Sequence, residues 1–154
     1  MANEPTSIKS VLININQDTL VLPNRAIAEI IPIRNMINVA NKPGWMLGYL
    51  DWRGKSVPLV SLEMMGGVRM PSLASGEVKA AIIYTISEDR DFPFVAVLIQ
   101  GAPQIIDLEA MDISEDTVST TTNPIVEQKV IVKDLPASII SLEKLEQAIK
   151  NIMT

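Results

Sequence analysis

Gly48-Tyr49-Leu50-Asp51-Trp52-Arg53-Gly54-Lys55-Ser56-Val57-Pro58-Leu59-Val60-Ser61-Leu62 reads as two extended runs folded back on each other about Arg53-Gly54-Lys55. Aromatic and β-branched residues flank a polar centre, and Gly54 supplies the positive φ that a tight hairpin requires. The first run starts at Trp45, just after the turn marker Pro43-Gly44. Pro58 cannot donate to a ladder, which places it on an edge or at a bulge.

The same grammar extends outward in both directions. Upstream, Val11, Ile13 and Ile15 alternate onto one face, Asn16-Gln17-Asp18 turns the chain, and Thr19–Leu22 returns. Pro23 stops pairing, Asn24 is placed to cap a single helical turn through Ile27, and Ala28–Ile33 is extended again. Arg34–Gly44 reads as a connector, and the Gly-, Ser- and Met-rich stretch from Gly66 to Gly76 as a flexible one. Downstream, Ala80–Ile86 and Phe94–Ile99 form a second hairpin around the acidic loop containing Glu88, Asp89 and Asp91. Gln104–Leu108 is a further strand, Ser114–Pro124 a loop, and Val130–Val132 with Ile139-Ile140 complete the sheet. Many short strands with regular turn signals predict an all-β barrel or sandwich. Only the end changes period: Leu142, Leu145, Ile149 and Ile152 recur at helical spacing behind Ser141, predicting a capped amphipathic helix over the barrel.

Leu59-Val60-Ser61-Leu62-Glu63 recurs as Ile139-Ile140-Ser141-Leu142-Glu143, and Glu29-Ile30-Ile31 is echoed by Gln104-Ile105-Ile106. Two short matches in the same order point to two similar β units in one chain. A chain of 154 residues accommodates one domain, or two half-domains sharing a core.

Composition narrows the functions. With 47% hydrophobic residues, a packed core is expected rather than disorder. The net charge of −5 and scattered lysines argue against a nucleic-acid partner, which requires clustered Lys and Arg. A small β-barrel nucleic-acid binder would also need aromatic platforms, and only six aromatic residues are present. Absence of cysteine excludes disulfides, thiol nucleophiles and Cys-ligated metals. Absence of histidine removes the commonest general base and most zinc-hydrolase ligand sets. The acidic turns at Glu88-Asp89-Asp91 and Asp112-Glu115-Asp116 lack calcium-loop order, and Gly66-Gly67 lacks a phosphate-loop ending. No cofactor, metal or catalytic set is expected. Without a secretory leader or a ~20-residue apolar run, a cytoplasmic protein with no direct membrane insertion is expected.

The motifs together resemble the CheW-like family. Its pattern, Val-x-Glu-Ile followed by Gly-Val-Ile-Asn-Leu-Arg-Gly-x-x-x-Pro-Val-x-Asp-Leu, is matched by Ile27-Ala28-Glu29-Ile30 and by Gly48–Leu62. The resemblance covers about residues 8 to 150, and Asp134-Leu135-Pro136-Ala137 stands where a glycine turn is usual. It implies two SH3-like five-stranded barrels sharing a core, in one CheW-like domain with a C-terminal helix. It also implies a non-enzymatic adaptor that joins a chemoreceptor cytoplasmic tip to the regulatory domain of a CheA-type histidine kinase, recruited to membrane-bound receptor arrays. Asp51-Trp52 replaces the commoner Asn-Leu, and Ser61 replaces Asp; this wording resembles adaptors of type IV pilus chemosensory systems.

The receptor- or kinase-binding candidates are Ile27, Glu29, Gly48, Trp52, Arg53, Val57 and Leu59, with Leu47 beside them. By the resemblance, Glu29 and Arg53 lie together near the receptor surface; they form either a guanidinium held ready for a partner or an ordinary hairpin salt bridge. Ile27, Leu47, Val57 and Leu59 make either an apolar docking patch or core. Trp52 is either an interface anchor or buried. Gly48 either permits close backbone approach or is a plain strand glycine.

Overall fold

The computed structural model describes residues 7–34, 36–70, 78–86 and 93–153. Strand β1 (Ile8–Ile15) buries Val11, Ile13 and Ile15 as their alternation predicts, and turns into β2 (Asp18–Pro23) through Gln17 at φ 66°. The following 3-10 turn (Asn24–Ala26) is preceded by Pro23 at the cap position, with no side-chain cap, so Asn24 lies inside the turn and does not cap it. The chain then extends as β3 (Ile27–Pro32). The connector holds a two-residue strand, β4 (Ile37–Asn38), which pairs with β5 (Met46–Trp52).

β5 and β6 (Lys55–Val60) form the expected hairpin, but its turn has two residues: Arg53 (φ 50°) and Gly54 (φ 76°) are both left-handed, and Lys55 already pairs with Trp52. That geometry matches the twist of the flanking strands. Pro58 lies one residue ahead of the short parallel ladder from β6 to β8 (Phe94–Leu108), where Leu59 and Val60 pair with Ala96 and Val97. A short helix, α1 (Leu62–Met65), follows β6 and takes up Leu62, read from sequence as the end of this hairpin's second run, just ahead of the stretch from Gly66 expected to be flexible. Residues 71–77 and the acidic loop residues Glu88, Asp89 and Asp91 lie outside the described residues.

β7 (Val78–Tyr84) pairs with the first half of β8. β8 is one strand rather than the two expected from sequence. Gly101 (φ 66°) bends it, and the ladder to β1 jumps from Gln104 to Gln100. The missing N–H of Pro103 falls in that irregularity, so it interrupts no ladder bond. Beyond a 3-10 turn (Ala110–Asp112), β9 (Ile113–Glu115) occupies the start of the predicted loop. β10 (Val126–Val132) and β11 (Leu135–Ile140) turn through Lys133 and Asp134, both left-handed, without the usual glycine.

Strand order is β4-β5-β6-β8-β1-β2-β11-β10-β9, with β7 joining β8 to β3. Thus β3, β7, the first half of β8, β6 and β5 enclose one apolar interior, including Leu50, Val57, Leu59, Ala80, Ile82 and Ala96. The second half of β8 with β1, β2, β11 and β10 encloses another, including Val21, Leu108, Val130, Val132 and Ala137. Between them lies a larger shared core containing Val11, Ile13, Leu20, Val60, Leu62, Val97 and Ile99. This arrangement agrees with two SH3-like barrels and a common core. The sequence repeat falls on equivalent ladders: Ile30 pairs with Ala81 and Ala81 with Val97, as Ile105 pairs with Val11 and Val11 with Leu22.

Ser61 and Ser141 each end a strand and cap a helix, accepting the amides of Met64 at 3.3 Å and Lys144 at 3.1 Å. Helix α2 (Leu142–Met153) buries Leu145 and Ile149 in the shared core, with Leu142 and Ile152 packed against it. It therefore covers the space between the barrels rather than the end of one. β2 and β11 run parallel and register only at Leu20 and Ser138. Lys129 reinforces this narrow seam, donating to Ser138 Oγ (2.8 Å) and Asp18 (3.3 Å), while Ser138 donates to Asp18 (2.7 Å). Asp18→Ala leaves a mostly buried ammonium without its counter-ion. Lys129 keeps Ser138 and some contact with water, so the expected loss is about 1–2 kcal/mol, read as a lower urea midpoint at unchanged m-value.

Candidate functional site

The hairpin tip between β5 and β6 projects Arg53 beside β3. Glu29 Oε1 accepts from Arg53 Nη2 and from Trp52 Nε1, each at 3.0 Å. The Arg53 guanidinium carbon lies 4.8 Å from the Trp52 ring centroid. A single carboxylate oxygen and one indole thus orient the guanidinium, although the Arg53 side chain remains 69% exposed and Glu29 41%. At that exposure the ion pair contributes only about 0–1 kcal/mol, with a comparable increment of about 0.5–1 kcal/mol from ring contact. Its larger effect is positional: the flat, permanently charged fork faces solvent at a defined angle.

The indole continues into a row of aromatic rings. Phe94 meets Trp52 edge-on at 4.7 Å and lies 5.4 Å from Tyr84, which is 50% exposed. Charge, indole, phenyl and phenol form one continuous strip across β3, β5, β8 and β7.

The candidates from sequence divide accordingly. Glu29, Trp52 and Arg53 come together. Trp52 takes the buried alternative, with its ring in the first barrel's interior and Nε1 turned to Glu29. Val57 (2% exposed) and Leu59 (0%) are core residues and present no docking surface, a correction to the proposed apolar patch. Their positions on β6 point into the barrel, and flanking β5 and β8 close over them. Ile27 and Leu47 are half-buried, packed against the shared core and the first barrel respectively. At Gly48 a Cβ would stand 2.3 Å from the carbonyl oxygen of Ile37, so the close approach is made by the chain's own β4. Phe94 and Tyr84 were missed. Aromatics at the ends of the second hairpin were visible, but the meeting of Phe94 with Trp52 depends on the β6–β8 crossover.

A second exposed feature lies on the other barrel: an apolar groove of about 440 Å³ lined by Ile8, Val21, Leu22, Leu108, Ile113 and Ile139, among others. Beside it, Glu109 and Asp112 satisfy each other's backbone amides in a reciprocal cap. Asp116 closes a turn; the Ser119 hydroxyl and the amides of Ser119 and Val118 hold its carboxyl below the usual range. Among the described residues no group of three or more metal-ligating side chains occurs, and no helix is long and apolar enough to cross a membrane.

The two-barrel β fold thus carries an exposed, oriented guanidinium backed by a buried indole on one barrel and an apolar groove on the other. The chain belongs to the CheW-like domain family, whose model matches residues 9–150. Among solved structures it is similar to the scaffolding protein TtCheW from Thermoanaerobacter tengcongensis, with TM-score 0.74 and 17% identity, covering 92% of this chain and 89% of that one. No curated protein matches the chain significantly.

Proposed function

We propose that this protein is a non-enzymatic adaptor of bacterial chemosensory signalling, coupling a chemoreceptor's cytoplasmic tip to the regulatory domain of a CheA-type histidine kinase. The observation that carries the reading is the Glu29–Trp52–Arg53 constellation, set on a CheW-like fold. An adaptor needs two faces, and the strip and the apolar groove lie on different barrels. The whole chain acts as one domain, in the cytoplasm, gathered to receptor arrays by its partners. The Trp52-Arg53-Gly54 and Val60-Ser61-Leu62-Glu63 sequences favour a system that controls type IV pili.

Exchangeable signalling contacts have micromolar dissociation constants, about −8 kcal/mol. Calorimetric titration with the kinase regulatory domain and with a receptor-tip peptide measures both contacts. Arg53→Glu reverses the exposed charge and repels Glu29, and weakens the contact on this strip by roughly ten- to hundredfold. Saturable micromolar binding of at least one partner, lost in the folded variant, supports the reading. Absence of binding to every such kinase domain and receptor tip would sink it.

A further inference from the structure

The two barrels are joined by helices that cross between them. Glu63 on α1 follows β6 of the first barrel, yet its buried carboxylate accepts the backbone N–H of Asn16 at 3.0 Å, at the β1–β2 tip of the second. Glu146 on α2 follows β11 of the second barrel, yet its buried carboxylate accepts the N–H of Ile86 at 3.2 Å, just beyond β7 of the first. Asn16 and Ile86 are equivalent positions, since β1 and β7 occupy matching places in the two ladders.

A second pair of contacts repeats the crossing. Thr122 Oγ1, in the segment leading to β10, donates to the carbonyl of Gly66 at 3.1 Å, and Asn123 Nδ2 donates to Leu62 at 2.8 Å, holding α1. Eighty positions earlier, Lys42 in the segment leading to β5 donates Nζ to the carbonyl of Ile152, holding the last turn of α2. A cation there also faces the negative end of the helix. Each barrel therefore extends a helix that is held at two places by the other.

We propose that these exchanged helices form a reciprocal clasp that makes the two barrels open only together. Withdrawing either helix exposes a carboxylate and strands an amide in the opposite barrel, so neither barrel loosens at its hairpin tip without disturbing its neighbour. The clasp gives the adaptor a means of transmitting strain between faces on different barrels.

Amide hydrogen exchange on the full chain tests this, using Glu63→Met and Glu146→Met, with Glu→Gln at each site as an acceptor-retaining control. Glu63→Met is expected to speed exchange at Asn16 and the β1–β2 tip by about ten- to hundredfold, and Glu146→Met to do so at Ile86. The Gln variants are expected to retain most of the protection. Should a Met variant fail to fold, Thr122→Val with Asn123→Ala loosens the same β1–β2 tip from the other end of α1. Faster exchange confined to the altered helix, with the opposite hairpin tip unchanged, overturns the clasp. Two separated thermal transitions in the unaltered protein would do so as well.

Discussion

Trp52→Ala is expected to lower the unfolding free energy by about 3–5 kcal/mol, the usual range for emptying a large aromatic from a core. The ring is only 7% exposed and packs in the first barrel's interior, edge-on to Phe94. Its loss also removes the surface on which the Arg53 guanidinium rests and one of the two donors to Glu29. Trp52→Phe separates these effects. It keeps much of the apolar volume but removes Nε1–H and part of the bicyclic ring, so about 1–2 kcal/mol should be lost, with Arg53 still bonded to Glu29. Denaturant unfolding of both variants provides the comparison. Near-equal costs would mean that the indole N–H, and not the buried ring, dominates at this position.

Gly48→Ala is expected to cost about 2–3 kcal/mol, because its Cβ would meet a backbone oxygen that no rotamer can move aside. The obstacle is the Ile37 carbonyl oxygen at 2.3 Å, and relief requires β4 to leave the sheet. Fast amide exchange at Ile37 and Asn38 should accompany the lost stability. Gly54→Ala is the control: its added Cβ meets nothing within 4 Å, and only the left-handed backbone (φ 76°) resists it. About 1 kcal/mol is expected there. Equal costs at the two glycines would show that backbone conformation, and not the approach of β4, explains Gly48.

The hairpin around Arg53-Gly54 was legible because its signals are local: a polar turn with glycine, flanked by runs that prefer extended backbone. The C-terminal helix was legible for the same reason, through a serine cap and apolar spacing that Leu145 and Ile149 confirm by burial. β4 was not, since two residues carry no period and pair only where Gly48 lets them approach. Nor was the continuity of β8, where Gly101 and Pro103 look like a break from their residue types alone. The Glu29–Arg53 pair was reached through family resemblance, whereas its third member could be weighed only as core or anchor until the indole's N–H was seen to point at Glu29.

By itself, then, the sequence determined the strand-rich class, the two hairpins and the capped helix, all properties of backbone preference within a few residues, and the doubling of the unit through its internal repeat. Tertiary structure alone decided which apolar residues of β5 and β6 are surface. Val57 and Leu59 read as either docking patch or core until β6 pairs with β8 and the first barrel closes around them. The same pairing brings Phe94 against Trp52, and the exchange of helices brings Glu63 to Asn16 across 47 residues. Such contacts depend on how distant segments pack around a shared core, and residue type and short spacing do not encode that directly.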